Sequence, residues 1–263
     1  MSWRRFLDDF GLLFFKPKAG IKRIIEEKPS LHKIAYVLFF VGLLRGVLET
    51  VWLYLMKGQL HQLIASLGSP EWYFLNSGPF VLGNITSVYF LWAVTAFIIF
   101  EGGRFLGGKG EFEDVLRVYG IFMFSYLLIG ILNFAHLYIG IPFIRFKASE
   151  VFNPEIGIGQ DVVFAWLTII SYVAARNVHR LSKTMSALIA SLPFSSGIVL
   201  YIVSVILFFG VYEMLPFEIG FTSYLLSGIL YIVFTSVLAI ILIIWGYKHN
   251  KVIKTVNDFI HRK

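Results

Sequence analysis

Six apolar stretches, each long enough to cross a bilayer as a helix, decide what this chain can become. They lie at 34–56, 79–100, 115–143, 156–178, 191–215 and 221–247. A hydrocarbon core about 30 Å thick takes about 20 helical residues to span, and in lipid every backbone N–H and C=O must be satisfied internally. The expected fold class is therefore all-α, a polytopic transmembrane helical bundle. Composition agrees: 57% of the 263 residues are hydrophobic and 15% are charged, whereas soluble domains run near 45–50% and 25%. Disorder needs the opposite balance, and a soluble globule could not cover so much apolar surface. The chain has no cysteine, which removes disulfides, thiolate metal sites and cysteine nucleophiles together.

The distribution of Lys and Arg orients the bundle. With six spans, residues 1–33, the second–third loop, the fourth–fifth loop and the tail fall on one side and hold 19 of the 23 bases. The other side holds Lys57, Arg145 and Lys147. The fourth stretch is the weakest, with a clean apolar part at 162–175, but without it this separation collapses. Both termini are expected in the cytoplasm and the protein in the cytoplasmic membrane. The net charge of +7 then favours anionic headgroups of the lipid bilayer on the cytoplasmic side. It does not mark nucleic-acid binding, because the bases hug the helix ends and form no face with interleaved aromatics. Within 1–33, Trp3, Phe6, Phe10 and Leu13 recur at helical spacing with charges opposite, the pattern of an interfacial amphipathic helix. A second short helix near 21–27 ends at Pro29 and Ser30.

The second–third loop is the most unusual segment. Gly102, Gly103, Gly107, Gly108 and Gly110 crowd into nine positions. GRFLGGKG imitates the Gly-x4-Gly-Lys of a phosphate-binding loop, yet Gly110 replaces the magnesium-holding Ser or Thr, and the segment follows a transmembrane stretch instead of a strand. The structural reading is a tight re-entry whose glycines supply positive φ. Glu111, Glu113 and Asp114 then occupy the first turn of the next helix, where the macrodipole favours acids.

Inside the first span, Arg45 and Glu49 stand four residues apart on one helix face. An isolated Arg there costs about 2.5–3.5 kcal/mol, so a pair facing the bundle interior is expected. Asn84, Asn133 and His136 extend this set into a candidate intramembrane polar site. His136 has no second His or carboxylate beside it at ligand spacing, so no metal is expected. Gly42 and Gly46 fit the small-xxx-small packing pattern, which also occurs at dimer faces. HExxH, GxSxG and the paired-glutamate motif of intramembrane prenyl-proteases are absent from the sequence, so neither enzyme activity nor a cofactor is expected.

The segment LFFKPKAGIKRIIEEKPS, then a span, then FLGGKGEFEDVLRVYG entering the next span, resembles the Yip family of Ypt/Rab-interacting proteins in its prokaryotic branch. AWLTIISYVAARNVHRLSKTMSALIASLPF is similar to the same family's Trp-containing span, His-x-x-Ser loop and Ala-rich helix that reaches Pro. The matching positions are Gly107, Gly108, Gly110, Phe112, Gly120, Trp166, His179, Leu181, Ser182, Ala187 and Pro193, over roughly residues 10–215. Two departures stand out. Gly120-Ile121 and Ser125 replace the family's frequent Gly-Tyr and later proline, and the Asp-Leu-x-Gly-Pro motif of eukaryotic members is missing. The resemblance implies a five-span core at 34–215 after the 1–33 segment, with 216–263 an additional sixth span and basic tail. It also implies a non-enzymatic membrane scaffold or interaction protein. Gly107, Gly108, Lys109, Gly110, Phe112, His179 and Ser182 would form the loop that meets a protein partner or a second copy of the chain. The rival is a permease or channel-like transporter using the Arg45/Glu49 pair.

Overall fold

A computed structural model of the chain describes residues 3–55, 71–128, 131, 158–192 and 220–261. Regular structure among them is entirely helical: α1 (Trp3–Phe15), α2 (Pro17–Glu27), α3 (Leu31–Leu55), α4 (Glu71–Phe105), α5 (Phe112–Phe122), α6 (Ile158–Asn177), α7 (183–192) and α8 (Gly220–His261). Three described helices are long and apolar enough to cross a membrane, over Leu31–Leu48 in α3, Val81–Phe105 in α4 and Ile232–Val252 in α8. The parts of the expected third and fifth spans at 132–143 and 193–215 lie outside the described residues.

Helix α4 organises the bundle. Gly42 and Gly46 let α3 lie against it, since a Cβ on each would come within 2.5 Å of Ile85 Cα and 2.7 Å of Val81 Cα. The small-xxx-small pair thus serves a crossing inside the chain. Pairing 42 with 85 and 46 with 81 makes the two helices antiparallel and sets Leu31 level with Ala96. From there α4 continues to Phe105, about 13 Å beyond the start of α3 at 1.5 Å per residue. Helix α8 attaches to that extension and runs parallel to α4: Trp245 meets Phe97 with ring centroids 6.0 Å apart, and His249 Nδ1 lies 2.7 Å from Glu101 Oε1. Small and polar residues (Thr235, Ala239, Gly246, Asn250) make the buried seam of α8, while Ile229, Val233, Val237, Ile240 and Ile244 are exposed. Tyr36, Phe40, Leu44, Val47 and Val51 form a comparable exposed stripe on α3. Apolar faces of this kind suit lipid, because burial against acyl chains replaces burial in a protein core.

Helix α5 is buried at every position except Glu113. It rises from Phe112 antiparallel to α6, to which it is tied by the 2.7 Å hydrogen bond between Tyr119 Oη and Ser171 Oγ. Trp92 Nε1 donates to the Leu116 carbonyl at 2.8 Å and fixes α5 to α4. The uninterrupted helix expected from residue 115 onwards does not form. A turn at 123–124 breaks it, with the Phe124 N–H returning to the Ile121 carbonyl (3.3 Å) and the Tyr126 N–H to that of Met123 (3.0 Å). The turn sets Phe124 against Phe6 and Phe10, with centroids at 5.5 and 4.9 Å.

Those contacts also revise the N-terminal segment. The amphipathic helix forms where the spacing places it, but Phe6 and Leu13 are fully buried in protein instead of lipid. Gly20 is the reason: it lets α2 fold back until a Cβ there would sit 2.5 Å from Leu13 Cα. The resulting α1–α2 hairpin docks on α5 and α6, with Phe14 against Trp166 at 5.3 Å. An ion pair between Arg5 and Glu27, and another between Arg23 and Asp9 at 3.1 Å, close the hairpin. Burial pushes the Asp9 carboxyl above its ordinary range, against the pull of Arg23 and Arg5.

Candidate functional site: a glycine cage around His179

At the basic end of the bundle, the α4–α5 loop closes around one imidazole. Helix α6 ends at Asn177, and the chain turns through Arg180, a non-glycine residue in the left-handed region (φ 57). The Leu181 N–H returns to the Ala175 carbonyl at 3.2 Å. This turn drives His179 inward until it is only 1% exposed. Three glycines pack on it, Gly103 from the last turn of α4 and Gly108 and Gly110 from the loop. A Cβ at Gly103 would lie 2.6 Å from the ring, one at Gly108 2.7 Å from His179 Cβ, and one at Gly110 2.7 Å from Nδ1. Only a hydrogen atom fits at those positions. Positive φ is needed only at Gly107 (φ 84). The glycine run therefore serves close approach more than turn geometry.

Backbone hydrogen bonds lock the cage. The Lys109 N–H donates to the His179 carbonyl (3.1 Å), the Gly108 N–H to the Gly103 carbonyl (2.8 Å), and Arg104 Nη1 to the Gly108 carbonyl (3.1 Å). Phe100 lies between His179 (6.3 Å) and Phe112 (5.2 Å), measured between ring centroids. Both ring nitrogens of His179 lack a hydrogen-bond partner among the described residues. Burial, reinforced by the Arg104 charge, pushes the imidazole down from 6.5 to about 4, so it is neutral at pH 7.

The residues singled out from sequence fall into two sets here. Gly108, Gly110, Phe112 and His179 are buried and hold the loop together, whereas Gly107, Lys109 and Ser182 are exposed on its surface. Ser182 caps α7: its Oγ accepts from the Met185 N–H at 3.4 Å and its carbonyl from the Ser186 N–H at 2.9 Å. Of the intramembrane set, Arg45 lies with Cζ 5.2 Å from the Tyr126 ring centroid, a cation–π distance. Asn84 is buried one residue before the α3 crossing at Ile85. The Glu49 side chain, Asn133 and His136 lie outside the described residues. Among the described residues no group of three or more His, Asp or Glu side chains is arranged to hold a metal.

Two elements of this end escape sequence reasoning. Arg117 is buried and donates to the Pro29 carbonyl (3.1 Å), to Asp114 Oδ1 (2.9 Å) and to Glu113 Oε2 (2.8 Å), tying α5 to the start of α3. Burial raises the Asp114 carboxyl, with Lys28 and Arg117 opposing it. The signal was the spacing: Arg117 stands three and four residues after two acids, within reach on one helix face. The second element is Gly246 of α8, where a Cβ would come 2.4 Å from the Phe112 ring. Nothing in the sequence links those two positions.

Comparison with known proteins adds one positive finding. No curated protein and no solved structure matches the chain significantly. A family model does match: residues 10–206 fit the Yip1 domain, a stretch that begins within α1 and ends before α8. With most of its length inside that match, and with apolar helices fit to cross a bilayer, the chain is a membrane protein that belongs to the Yip1 domain family.

Proposed function

We propose that this protein is a non-enzymatic membrane scaffold whose contact surface is the caged loop. The carrying observation is the separation of roles within that loop. Three glycines and His179 lock it from inside, and the same backbone presents Gly107, Lys109 and Ser182 outward. A surface fixed this way loses little conformational freedom on binding, which favours affinity. Six spans with both termini in the cytoplasm fit the helix directions. Helix α3 runs opposite to α4, α5 opposite to α6, and α8 parallel to α4, as second and sixth spans must be. The basic end then faces the cytoplasm and the anionic headgroups of the cell membrane. The Yip-type core ends before α8, which supports reading the last helix and its tail as an addition to the five-span unit.

Lys109→Glu and Ser182→Asn alter the exposed surface, keep a capping side chain at the start of α7 and leave the cage intact. Proteins co-purified from membranes in mild detergent should be lost from the double variant while its melting temperature stays at the wild-type value. Recovery of the same partners by the double variant removes the loop from the contact surface.

A further inference from the structure

The α1–α2 hairpin carries an exposed surface that its packing does not use. One face of α1 is committed to α5 and α6, yet Trp3 (55% exposed), Leu7 (48%) and Phe15 (80%) follow one another at spacings of four and eight residues on the outside. Beside Phe15 the chain turns, and Lys16, Pro17, Lys18, Ala19 and Lys22 line a hollow of ≈ 400 Å³. Lys16 and Lys18 have no acidic partner among the described residues, and Lys22 reaches Glu26 only loosely at 3.7 Å between two well-exposed side chains. The hollow is shallow and walled by carbon, chiefly the lysine stems, so three exposed lysines cluster at this turn next to a bare aromatic ring.

The location of this surface identifies what covers it. Helix α2 ends at Glu27, and α3, a helix fit to cross the bilayer, begins at Leu31. At this same open end of the hairpin, opposite the turn at Lys16, the Trp3 ring meets Phe40 at 6.4 Å, and Phe40 belongs to the exposed apolar stripe of α3. The exposed apolar side chains of α1 therefore start against a lipid-facing stripe at Trp3 and end at Phe15, where the lysine cluster begins. An apolar edge in the acyl boundary, with cations at headgroup level, is how interfacial helices hold a membrane. Three clustered lysines attract the phosphate of an anionic headgroup.

We infer that the Lys16–Lys18–Lys22 cluster is a docking site for the phosphate of an anionic phospholipid, with the neighbouring Phe15 seated among its acyl chains. This rests on the proposed orientation of the basic end toward anionic headgroups. The test uses the full chain in neutral detergent, offered equal amounts of phosphatidylglycerol and phosphatidylcholine, with retained lipid read by native mass spectrometry. Wild type should keep phosphatidylglycerol in preference, and Lys16→Gln/Lys18→Gln/Lys22→Gln should lower that preference about tenfold. Phe15→Ser should weaken retention of the lipid with the lysines intact. Equal retention of both lipids by wild type, or an undiminished preference in the triple variant, overturns the site. Millimolar inorganic phosphate should leave the bound lipid in place; displacement by phosphate alone would mean that a free anion, and no membrane, is the occupant. Because all four side chains are exposed, melting temperatures should match wild type. Protease access to the C-terminal tail in sealed vesicles reports orientation separately, so an inverted topology and a failed lipid site give different results.

Discussion

Two glycine clusters do different work in this molecule. Gly42 and Gly46 bring α3 onto α4, and what a Cβ would strike there is backbone, Ile85 Cα and Val81 Cα. Gly103, in the last turn of α4, makes room for a side chain, and the atoms nearest a Cβ there belong to the His179 ring. The same residue type therefore enforces two kinds of constraint. One is a helix–helix distance that no side-chain change can relax. The other is a fit around a group that could be removed.

The sharpest way to break this comparison is at the α3–α4 crossing. Gly42→Val should destabilise the bundle by about 3 kcal/mol through overpacking. Adding Ile85→Ala should not restore it, because the obstacle is the main chain. Thermal unfolding of the three proteins in one detergent measures this, and a clear rescue would show that the helices can slide apart at little cost.

At the loop the opposite outcome is expected. Gly103→Ala should cost about 2 to 3 kcal/mol, and His179→Ala in the same chain should recover part of it. A double-mutant cycle should give a coupling of about 1 kcal/mol or more. Strict additivity would mean that the glycine is required by the backbone, as at Gly42.

The smallest effect is titration of the cage. His179 has its folded value lowered to about 4 from an ordinary 6.5, so the unfolded chain binds the proton first. The stability that the neutral imidazole confers is complete above pH 6.5, falls as pH drops toward 4, and is lost below it. Between pH 7 and pH 5 the loss should be roughly 2 kcal/mol. Hydrogen exchange at Gly108 and Lys109 should quicken over that interval, and His179→Leu should flatten the change. A wild-type loop whose exchange, corrected for intrinsic pH dependence, stays level from pH 7 to pH 5 would show that the folded ring takes up its proton as readily as the unfolded chain and that burial does not hold it neutral.

Much of the fold was legible because apolar length and charge separation act locally. The helices at α3, α4, α6 and α8 lie where the apolar stretches placed them. The break at 123–124 was not legible, because no proline marks it and the rings that Phe124 meets there, Phe6 and Phe10, lie more than a hundred positions away. The candidate loop was visible as a glycine run followed later by a His-x-x-Ser segment. What the glycines enclose was not, since a glycine reports close approach without naming the neighbour. Arg117 shows the same limit: its acids lie on its own helix, but the Pro29 carbonyl that completes its shell comes from the link between α2 and α3.

By itself, the sequence determined that this chain is helical and membrane-embedded, with a basic bias toward one set of loops, because hydrophobic length and charge placement are decided residue by residue. Only the tertiary structure decided which apolar face meets protein and which is left for lipid. On α1 that choice put Phe6 and Leu13 inward and Trp3 and Phe15 outward. It also turned a histidine and three glycines into a closed cage. Both outcomes depend on backbone distances of a few ångströms between segments far apart in the chain, and no periodicity within either segment encodes them.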